Sequence, residues 1–321
     1  TVEPALAGRG EAVAIGRGGV VQHALDPSDH GVDDHQRRQL ATREHVVADG
    51  DLARVEQLVH AGGDARVVSA HQDDLEILAY HGILQAYNSS EEWFSGVIMT
   101  NGSGSARAGD YAEYTDEEMM AVRRKEQKKA AFVGEYAALA LLDYPSSAVK
   151  DPAETRTVDD LKTVLATARP RVVYTHNPAD KHDTHVGVAL RLVRALRELP
   201  PEQRPETVCG VEVWRDLDWL CDNDKVILPV DRHENLAHAL LGIYDSQIAG
   251  GKRYDLATMG RRRAHATYFA AHETDTTEGL TFGIDLTPMI EDPNLDMATF
   301  VQQYVDRFAE EVRTRIGRLS D

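Results

Sequence analysis

The chain has 321 residues, of which 42% are hydrophobic and 27% charged, and its formal net charge at pH 7 is −18. This composition is typical of globular proteins, and the length permits one large domain or two. Because nucleic acids and anionic membranes attract clusters of Lys and Arg, the acidic balance argues against both as partners. The two cysteines, Cys209 and Cys221, form no CxxC pair, and no apolar run approaches the ~20 residues of a membrane helix. No signal-peptide core is apparent either, so we expect a cytoplasmic protein.

Residues 1–62 differ from the rest in being rich in His, Asp, Arg and Gly. We interpret them as an N-terminal extension, partly irregular, that ends in a short helix near Leu52–His60. Residues 63–321 are predicted to form the main domain, with a C-terminal helix. The spacing of the histidines in the extension matches no metal-ligand pattern, so we expect surface residues there. These histidines are His23, His30, His35, His45 and His60.

From Ala65 onwards, short apolar runs alternate with segments of helical periodicity. The runs predict strands at residues 67–70, 96–100, 171–175, 208–214 and 225–230. Helices are predicted over residues 75–87, 116–142, 158–168, 186–199, 236–248 and 297–319. Thr115 and Glu118 have the spacing of a capping box at the start of the second of these helices. Alternating strands and helices predict a layered α/β sheet of mostly parallel strands, with helices on both faces.

Polar tracts follow three of the predicted strands. The first strand is followed by His71-Gln72-Asp73-Asp74, the second by Asn101-Gly102-Ser103-Gly104, and the third by His176-Asn177 and then His182-Asp183-Thr184-His185. In an open parallel sheet, ligands bind outside the carboxyl ends of the strands. We therefore expect the functional site where the three tracts meet.

The first tract has the residue types of a metal site. His71 and Asp74 are three residues apart across a strand-to-helix turn, so both can face one cation, and a nitrogen with an oxygen ligand suits Zn²⁺. Asp73, between them, is free to accept a proton from a water molecule that the metal makes acidic. Aspartates at a helix start are also favoured by the helix dipole alone, so this tract by itself leaves both interpretations open.

The second histidine group favours the metal interpretation. His182 and His185 are three residues apart just before a predicted helix, so both can lie on one face. One of them can complete a three-ligand site for a single zinc ion, and the other can donate a hydrogen bond to a developing oxyanion. A lone pair of histidines is more often surface or core decoration, but this pair follows a strand end close to the first tract.

Other features are less specific. The loop after the second strand does not fit GxGxxG, so a nucleotide cradle is not expected; it is either a solvent loop or a lip over the site, with Asn101, Arg107 and Asp110 as candidate substrate-binding residues. The arginines in residues 259–263 favour a solvated helix start over an anion site. Trp214 and Trp219 can stack on a sugar ring, although burial is the usual place for tryptophan.

These residues resemble the LmbE-like or PIG-L zinc deacetylases. That family carries Ala-His-Pro-Asp-Asp, often followed by Ala-Glu-Ile, where this chain has Ala70-His71-Gln72-Asp73-Asp74 and then Leu75-Glu76-Ile77. The family's Thr-x-Gly turn, Arg-x-x-Glu helix, His-Pro-Asp-His tract and late Ser-Gln pair are matched over roughly residues 65–285. The matching residues are Thr100 and Gly102, then Arg123 and Glu126 with Ala130 and Gly134, then His182-Asp183-Thr184-His185, and finally Ser246-Gln247; Gly82 matches a further glycine.

The resemblance implies a Rossmann-like sheet, zinc ligands His71, Asp74 and His185, Asp73 as general base and His182 as oxyanion stabiliser. Two positions depart from the family pattern: Gln72 stands in place of proline, which should loosen the turn, and Thr184 stands in place of an aspartate that helps to orient the histidine tract, with Asp183 one position earlier. Neither departure removes a metal ligand.

The implied activity is removal of an N-acyl, usually N-acetyl, group from an amino sugar or sugar-bearing metabolite. The expected partner is a small N-acylated sugar or glycoside, with no nucleic acid and no membrane, and the last helix also suits a homo-oligomer. Two alternatives remain. The same ligand set can serve a metal-dependent hydratase of an unsaturated carboxylate metabolite, or the fold can be a non-catalytic binding module.

Overall fold

The computed structural model describes residues 46–49 and 65–320. The predicted short helix near Leu52–His60 and the five histidines of the predicted extension lie outside these described residues. One strand from this part of the sequence, Val46–Asp49, pairs in parallel with the strand at the edge of the main sheet. The domain boundary at residue 62 stays a prediction.

The described residues contain eight strands that form one sheet. The strands are β1 Val46–Asp49, β2 Ala65–Ser69, β3 Phe94–Thr100, β4 Ala138–Tyr144, β5 Val172–His176, β6 Thr207–Val211, β7 Val226–Pro229 and β8 Leu280–Asp285. Their order is β1-β4-β3-β2-β5-β6-β8-β7. All neighbours are parallel except β8, which is antiparallel to both β6 and β7. The prediction of a mostly parallel α/β sheet is confirmed.

Helices cover both faces of this sheet. They are α1 Asp74–Leu78, α2 Tyr80–Ala86, α3 Asp116–Val133, α4 Ser146–Lys150, α5 Arg156–Ala168, α6 Asp183–Glu198, α7 Glu234–Gly242, α8 Asp245–Ile248, α9 Tyr254–Tyr268, α10 Thr287–Glu291 and α11 Met297–Ser320. One apolar layer includes Leu161 of α5 and Leu192 of α6. The other includes Leu75 of α1 and Ile83 of α2. Among the described helices, none is both long and apolar enough to cross a membrane.

The predicted long helix over residues 116–142 is confirmed up to Val133 and wrong beyond it. Its start is as expected, because the Thr115 hydroxyl accepts from the Glu118 amide at 3.2 Å and the Glu118 carboxylate accepts from the Thr115 amide at 2.8 Å. The helix ends at Val133, Glu135 takes a left-handed φ of 55°, and the chain continues as β4. The Ala- and Leu-rich sequence of β4 has helical propensity, but burial between β1 and β3 in the sheet overrides that propensity.

Other elements also differ from the sequence predictions. The helix expected over residues 75–87 is two helices, α1 and α2, which meet at Ala79, and the helix expected over residues 236–248 is divided between α7 and α8. Strand β8 had no counterpart in the prediction, because its hydrophobic run is interrupted by Gly283. The arginines expected at a helix start lie instead in the middle of α9.

The parallel strands bring the predicted polar tracts to one edge of the sheet. The Thr100 amide at the end of β3 donates to the Ala70 carbonyl after β2 at 2.9 Å, and the Thr100 hydroxyl donates to the same oxygen at 2.8 Å. On the other side of β2, the Thr175 hydroxyl of β5 donates to the Val68 carbonyl at 2.9 Å. The carboxyl ends of β2, β3 and β5 are thus tied side by side.

Candidate metal centre

The turn between β2 and α1 holds two neighbouring aspartates in different directions. Asp73, which precedes the first residue of α1, has a φ of 92° and a ψ of −29°, an uncommon conformation for a residue with a side chain. Its amide donates to the Gln127 side-chain carbonyl at 3.2 Å, which holds the turn against α3. Asp74 is hydrogen-bonded to the amide of His71 at 2.7 Å. The two carboxylates therefore contact different groups.

Three ligand atoms of His71, Asp74 and His185 converge on one point. The Asp74 Oδ2 atom lies 3.1 Å from His71 Nδ1 and 3.4 Å from His185 Nε2, and the two nitrogens are 3.3 Å apart. An ion with four ligands at about 2.1 Å holds neighbouring ligand atoms about 3.4 Å apart. Two imidazole nitrogens and one carboxylate oxygen at this spacing fit Zn²⁺ with a fourth position left for water or substrate. These three residues are the ligands expected from the sequence, and they form a candidate metal site.

The charge states of these groups suit a cation. Burial, together with the neighbouring His176, lowers the pKa of His185 to about 4, so its imidazole is neutral at neutral pH and can coordinate a metal. Burial by itself would raise the pKa of Asp74, but His185, His176 and His71 outweigh it and hold that pKa well below the usual range. Asp74 is therefore a carboxylate.

Asp180 orients the histidine tract, a role that the sequence analysis did not assign. Its Oδ2 atom lies 3.2 Å from His185 Nδ1, and it also accepts from the Trp214 amide at 3.1 Å. The Oδ1 atom accepts from the His182 amide at 3.1 Å. Such a carboxylate fixes the ring and tautomer of a ligating histidine. The aspartate missing at Thr184 is thus not supplied by Asp183, which is exposed.

His176, the last residue of β5, supports the cluster from behind. It is fully buried, its Nε2 accepts from the Ala70 amide at 2.9 Å, and its ring stacks on His185 with the ring centres 3.9 Å apart. The same Nε2 lies 3.4 Å from Asp74 Oδ2. Because this nitrogen already accepts a backbone hydrogen bond, we assign His176 the task of fixing the end of β2 and the plane of His185.

His182 lies where the oxyanion stabiliser was expected. It immediately precedes α6, and its ring is 4.5 Å from the ring centre of His185 and 5.0 Å from that of His71. Burial, followed by the charge of His71, lowers its pKa. The Nδ1 atom is buried and has no hydrogen-bond partner among the described residues.

Asp73 faces an arginine instead of the histidines. Its Oδ1 atom lies 3.3 Å from Arg123 Nη2, and both side chains are buried. Burial raises the pKa of Asp73 to about 7, although the charge of Arg123 opposes this rise. A carboxylate with a pKa near neutrality can take up and release a proton at physiological pH.

Arg123 is itself held by residues that the sequence analysis noted only as part of the resemblance. It donates to the Gln72 carbonyl, and its Nη1 atom lies 3.3 Å from the Glu126 carboxylate. That carboxylate accepts from the amide and the hydroxyl of Ser246 at 2.8 and 2.7 Å. The Arg-x-x-Glu and Ser-Gln motifs therefore meet beside the aspartate turn.

The glutamine that replaces the family's proline also contributes to the turn. Gln72 is buried, and its amide donates to the Thr100 carbonyl at 2.9 Å. A β-carbon on Gly102 would come within 2.7 Å of the Gln72 side-chain oxygen, so the loop after β3 packs directly on this residue. Gln72 therefore ties the turn to the end of β3, and the loosening expected from the loss of proline stays a prediction.

The residues proposed for substrate binding in the loop after β3 have structural contacts. Arg107 donates to the carbonyls of Ser103, Ser105 and Tyr114 at 2.8–3.1 Å. It also pairs with Asp116. The Asn101 side chain accepts from the Ser103 amide at 3.1 Å, and Asp110 is exposed. Among the described residues, the hydrogen bonds of Arg107 stay within its own loop and the start of α3. A role for these residues in substrate binding stays a prediction.

Trp214 lies beside the histidine cluster. Its half-buried ring is 6.0 Å from the ring centre of His182, and the Lys252 and Lys181 ammonium groups lie 4.9 and 5.9 Å from its centre. Trp219 lies elsewhere and contacts Phe308.

The arginines of α9 were predicted to be solvated, but not all of them are. Arg262 is buried, and it donates to the carbonyls of Glu76 and Ile77 at 2.8 and 3.3 Å. The C-terminal carbonyls of the short helix α1 are therefore capped by this guanidinium. Arg263, in contrast, is half-exposed and pairs with Glu234 and Glu278.

Comparisons with known proteins agree with this fold. Residues 66–196 match the family model described as PIG-L: GlcNAc-PI de-N-acetylase. The search of curated proteins found no match. Three solved structures share the fold at 16–19% identity, and each is covered over most of its length.

The first is the conserved protein TT1542 from Thermus thermophilus, with 19% identity, a TM-score of 0.53, and coverage of 73% of this chain and 99% of that one. The second is the 4-carboxy-2-hydroxymuconate hydratase GalB from Pseudomonas putida, with 18% identity, a TM-score of 0.54, and coverage of 73% of this chain and 100% of that one. The third is the N,N'-diacetylchitobiose deacetylase from Pyrococcus horikoshii, with 16% identity, a TM-score of 0.53, and coverage of 72% of this chain and 86% of that one. Two relatives of the same fold therefore carry different activities.

Proposed function

Residues 66–196 identify this chain as a member of the PIG-L family, and from that premise we propose that it is a zinc-dependent amide hydrolase. Its proposed reaction removes an N-acyl group, most simply N-acetyl, from an amino sugar or a sugar-bearing metabolite. The observation that carries this proposal is the geometry around two adjacent aspartates: Asp74 faces two imidazoles, and Asp73 faces Arg123. One zinc ion and a cytoplasmic location belong to the same proposal.

In this proposal His71, Asp74 and His185 hold the metal. A bound zinc ion would polarise the amide carbonyl and lower the pKa of a water molecule. Asp180 holds His185 in the orientation that presents Nε2 to the cluster, because it bonds to the other ring nitrogen. His176 keeps the backbone of Ala70 in place through its Nε2 atom.

Asp73 acts as the base and then as the acid. It takes a proton from the attacking water as the oxygen bonds to the acyl carbon, and it gives a proton to the nitrogen as the carbon–nitrogen bond breaks. The products are a carboxylic acid, acetic acid for an acetyl group, and a free amine. Arg123 keeps the Asp73 carboxylate in position and limits the rise of its pKa.

His182 stabilises the negative charge that develops on the carbonyl oxygen. Because its pKa is lowered, the ring is neutral at neutral pH and carries one N–H for donation. The neighbouring Trp214 supplies an apolar ring surface against which a sugar face can stack. Both side chains lie next to the proposed metal ligands, so a substrate held by Trp214 can present its amide to the centre.

A second candidate is a hydratase of an unsaturated carboxylate metabolite. The likeness to GalB, with a TM-score of 0.54 over 73% of this chain, keeps this alternative in view, although at 18% identity it bears on the fold alone. A hydratase adds water across a carbon–carbon double bond and releases no acid fragment. Acetate release therefore separates the two candidates.

The test combines metal analysis with a substrate panel. Purified wild-type chain is expected to contain one zinc ion and to release acetate from at least one N-acetylated amino sugar. His185→Ala should lose the zinc, and Asp73→Asn should keep it but lose acetate release. Absence of zinc from the wild type, or zinc retained in full by His185→Ala, would refute the site assignment. A wild-type chain that binds zinc but shows no turnover, with no change in Asp73→Asn, would indicate a non-catalytic binding module.

A further inference from the structure

Helix α11 has a row of apolar side chains that the described part of the chain covers only in part: Trp219 contacts Phe308, and the last side chains of the row are more exposed. Its first turns pack on the domain: Phe300 is buried, and Val301 and Tyr304 contact the core. Every residue from Val312 to Ser320 is exposed. A helical segment this short is marginal in water without a packing partner. We therefore expect residues 312–320 of α11 to be stabilised by a contact with another chain or segment.

The exposed apolar residues form one stripe. They are Val305, Phe308, Val312, Ile316 and Leu319, with exposed fractions of 40%, 40%, 38%, 60% and 75%. At about 100° per residue, all of them fall within an arc of roughly 80° on the helix surface. The stripe is symmetric about Val312, since its other members are found four and seven residues away on either side. A surface that contacts its own copy across a twofold axis needs this symmetry.

The charged residues of α11 change sign at Val312. The carboxylates Asp306, Glu310 and Glu311 precede it. Asp306 and Glu311 flank the stripe, whereas Glu310 lies on the opposite side of the helix. The arginines Arg313, Arg315 and Arg318 follow Val312, and Arg307, which precedes it, is paired with Asp224 of the domain at 2.7 Å. The segment 305–319 therefore has an acidic half before Val312 and a basic half after it.

This charge order distinguishes the two ways in which a pair of such helices can pack. A parallel pair places arginines beside arginines and carboxylates beside carboxylates, which is repulsive. An antiparallel pair places the acidic half of each helix beside the basic half of the other. The bonds from Arg313 to Glu310 and from Arg315 to Glu311 lie on the exposed surface of one helix, so they can rearrange at little cost.

We propose that α11 pairs antiparallel with α11 of a second copy of this chain, with the twofold axis close to Val312. The apolar stripes of the two helices face each other in this arrangement, and the Ile316 and Leu319 side chains of one copy lie near Phe308 and Val305 of the other. The proposal is independent of the hydrolase assignment, because it rests on residues far from the histidine cluster in sequence and is tested by mass instead of turnover.

The first experiment measures the molar mass of the full chain by light scattering over a range of concentrations. Wild type is expected to have the mass of two chains, and Val312→Glu the mass of one chain, because the substitution places two carboxylates against each other at the axis. Gln303→Glu is the matched control: it adds the same charge on the exposed, opposite side of the helix and should leave the dimer intact. A monomeric wild type, or a dimeric Val312→Glu with unchanged helix content, overturns the proposal.

The second experiment tests the direction of the pairing by disulfide cross-linking in a Cys221→Ser background, since Cys209 is buried. Chains with Val305→Cys are mixed with chains with Leu319→Cys under mild oxidation. Antiparallel pairing predicts a disulfide between the two kinds of chain. A disulfide that joins two Val305→Cys chains to each other would indicate parallel pairing, and the absence of any cross-link would indicate no pairing; either result overturns the proposal.

Discussion

Asp73 and Asp74 are consecutive in the chain, yet the turn after β2 places their carboxylates in two different surroundings. On the histidine side, Asp74 contacts His71, His176 and His185, and its pKa is held low. On the arginine side, Asp73 contacts Arg123, and its pKa is raised to about 7. When the surroundings push the pKa values of two neighbouring carboxyls apart, one is suited to hold a cation and the other to move a proton.

The two sides are also built differently. The histidine side is formed by loops and strand ends around β2 and β5, and its polar atoms point toward one another at the spacing of a tetrahedral metal site. The arginine side is formed by α3 and the start of α8, and its charges are paired with protein groups, as Arg123 is with Glu126. The histidine side therefore has the donor atoms of a cation site, whereas the arginine side is a network of paired protein groups.

The largest expected effect is the loss of a metal ligand. Asp74→Ala removes the oxygen that lies close to both proposed ligand imidazoles, so the chain should lose its bound zinc and, with it, acetate release down to the background rate. Zinc is measured by mass spectrometry after dialysis, and circular dichroism checks the fold. The comparison variant is Asp183→Ala, an exposed aspartate of the same region. Equal zinc content in the two variants would contradict the histidine side as the metal site.

Loss of the base should separate the two sides. Asp73→Asn keeps the side-chain volume and leaves the three proposed ligands in place, so zinc content should stay that of the wild type. Turnover should fall by about 10²- to 10⁴-fold, the usual contribution of a positioned general base. The measurement is kcat for acetate release, with metal content determined on the same samples. Wild-type turnover by a zinc-loaded Asp73→Asn enzyme would show that the proton is moved by another group.

Asp180 tests how far the histidine side depends on its supporting carboxylate. Asp180→Asn keeps the size of the side chain but weakens the contact to His185 Nδ1, so zinc affinity should fall by about 10- to 100-fold. Competition with a chromophoric chelator measures the affinity, and Asp183→Asn serves as the exposed control. An unchanged dissociation constant would mean that His185 is oriented by the backbone and by the His176 stack alone.

The pH dependence of turnover tests the arginine side. Asp73 must be deprotonated to accept a proton, so kcat/KM should fall as the pH drops through the pKa of this group. Arg123 lowers that pKa, and its removal in Arg123→Met should therefore move the acidic limb to higher pH, by about 1 to 3 pH units. Profiles are compared between samples of equal zinc content. Arg124→Met, at the neighbouring half-exposed position, should leave the limb where it is; a shift in the opposite direction for Arg123→Met would refute Asp73 as the base.

The sequence predicted the proposed metal ligands better than the residues that hold them in position. Alternation of strands and helices indicated which tracts lie at the carboxyl ends of parallel strands, and this brought His71 and Asp74 together with the pair His182 and His185. The choice of His185 as the third ligand came from the resemblance to the family. Asp180 and His176 belong to the same tract, but which of the acidic residues near His185 bonds to it depends on the path of the loop. Arg123 and Ser246 are more than a hundred residues apart, and no local pattern gives their common contact with Glu126.

The fold prediction failed where local propensity and burial disagree. β4 has a sequence rich in Ala and Leu that reads as a continuation of α3, and only its position between β1 and β3 makes it a strand. The antiparallel β8 was not predicted because a two-sided buried strand with an internal glycine lacks clear alternation. Neither element contributes a side chain to the histidine cluster, which is why the site could be predicted without them.

The smallest expected effect concerns the buried hydrogen-bond network around Glu76, which lies below the arginine side. Glu76 is buried and accepts hydrogen bonds from Tyr136 and Tyr244 at 2.6 Å and from Gln127 at 2.9 Å. Burial raises its pKa, and these donors oppose the rise. Gln127 also accepts from the Asp73 amide, so this network lies directly beneath the turn. These hydrogen bonds do not join Glu76 to the proposed metal ligands. Loss of one of them is therefore expected to lower the stability of the fold without changing zinc binding.

Tyr136→Phe removes one donor to a buried carboxylate while keeping the ring that packs against Phe94. It should lower the free energy of unfolding by about 1 to 3 kcal/mol, measured by urea denaturation. Tyr268→Phe, at a position that is 80% exposed, should be nearly neutral. Zinc content of Tyr136→Phe should equal that of the wild type. A loss of zinc in this variant would show that the position of the proposed ligand Asp74 depends on the hydrogen bonds of Glu76 in the same helix, α1.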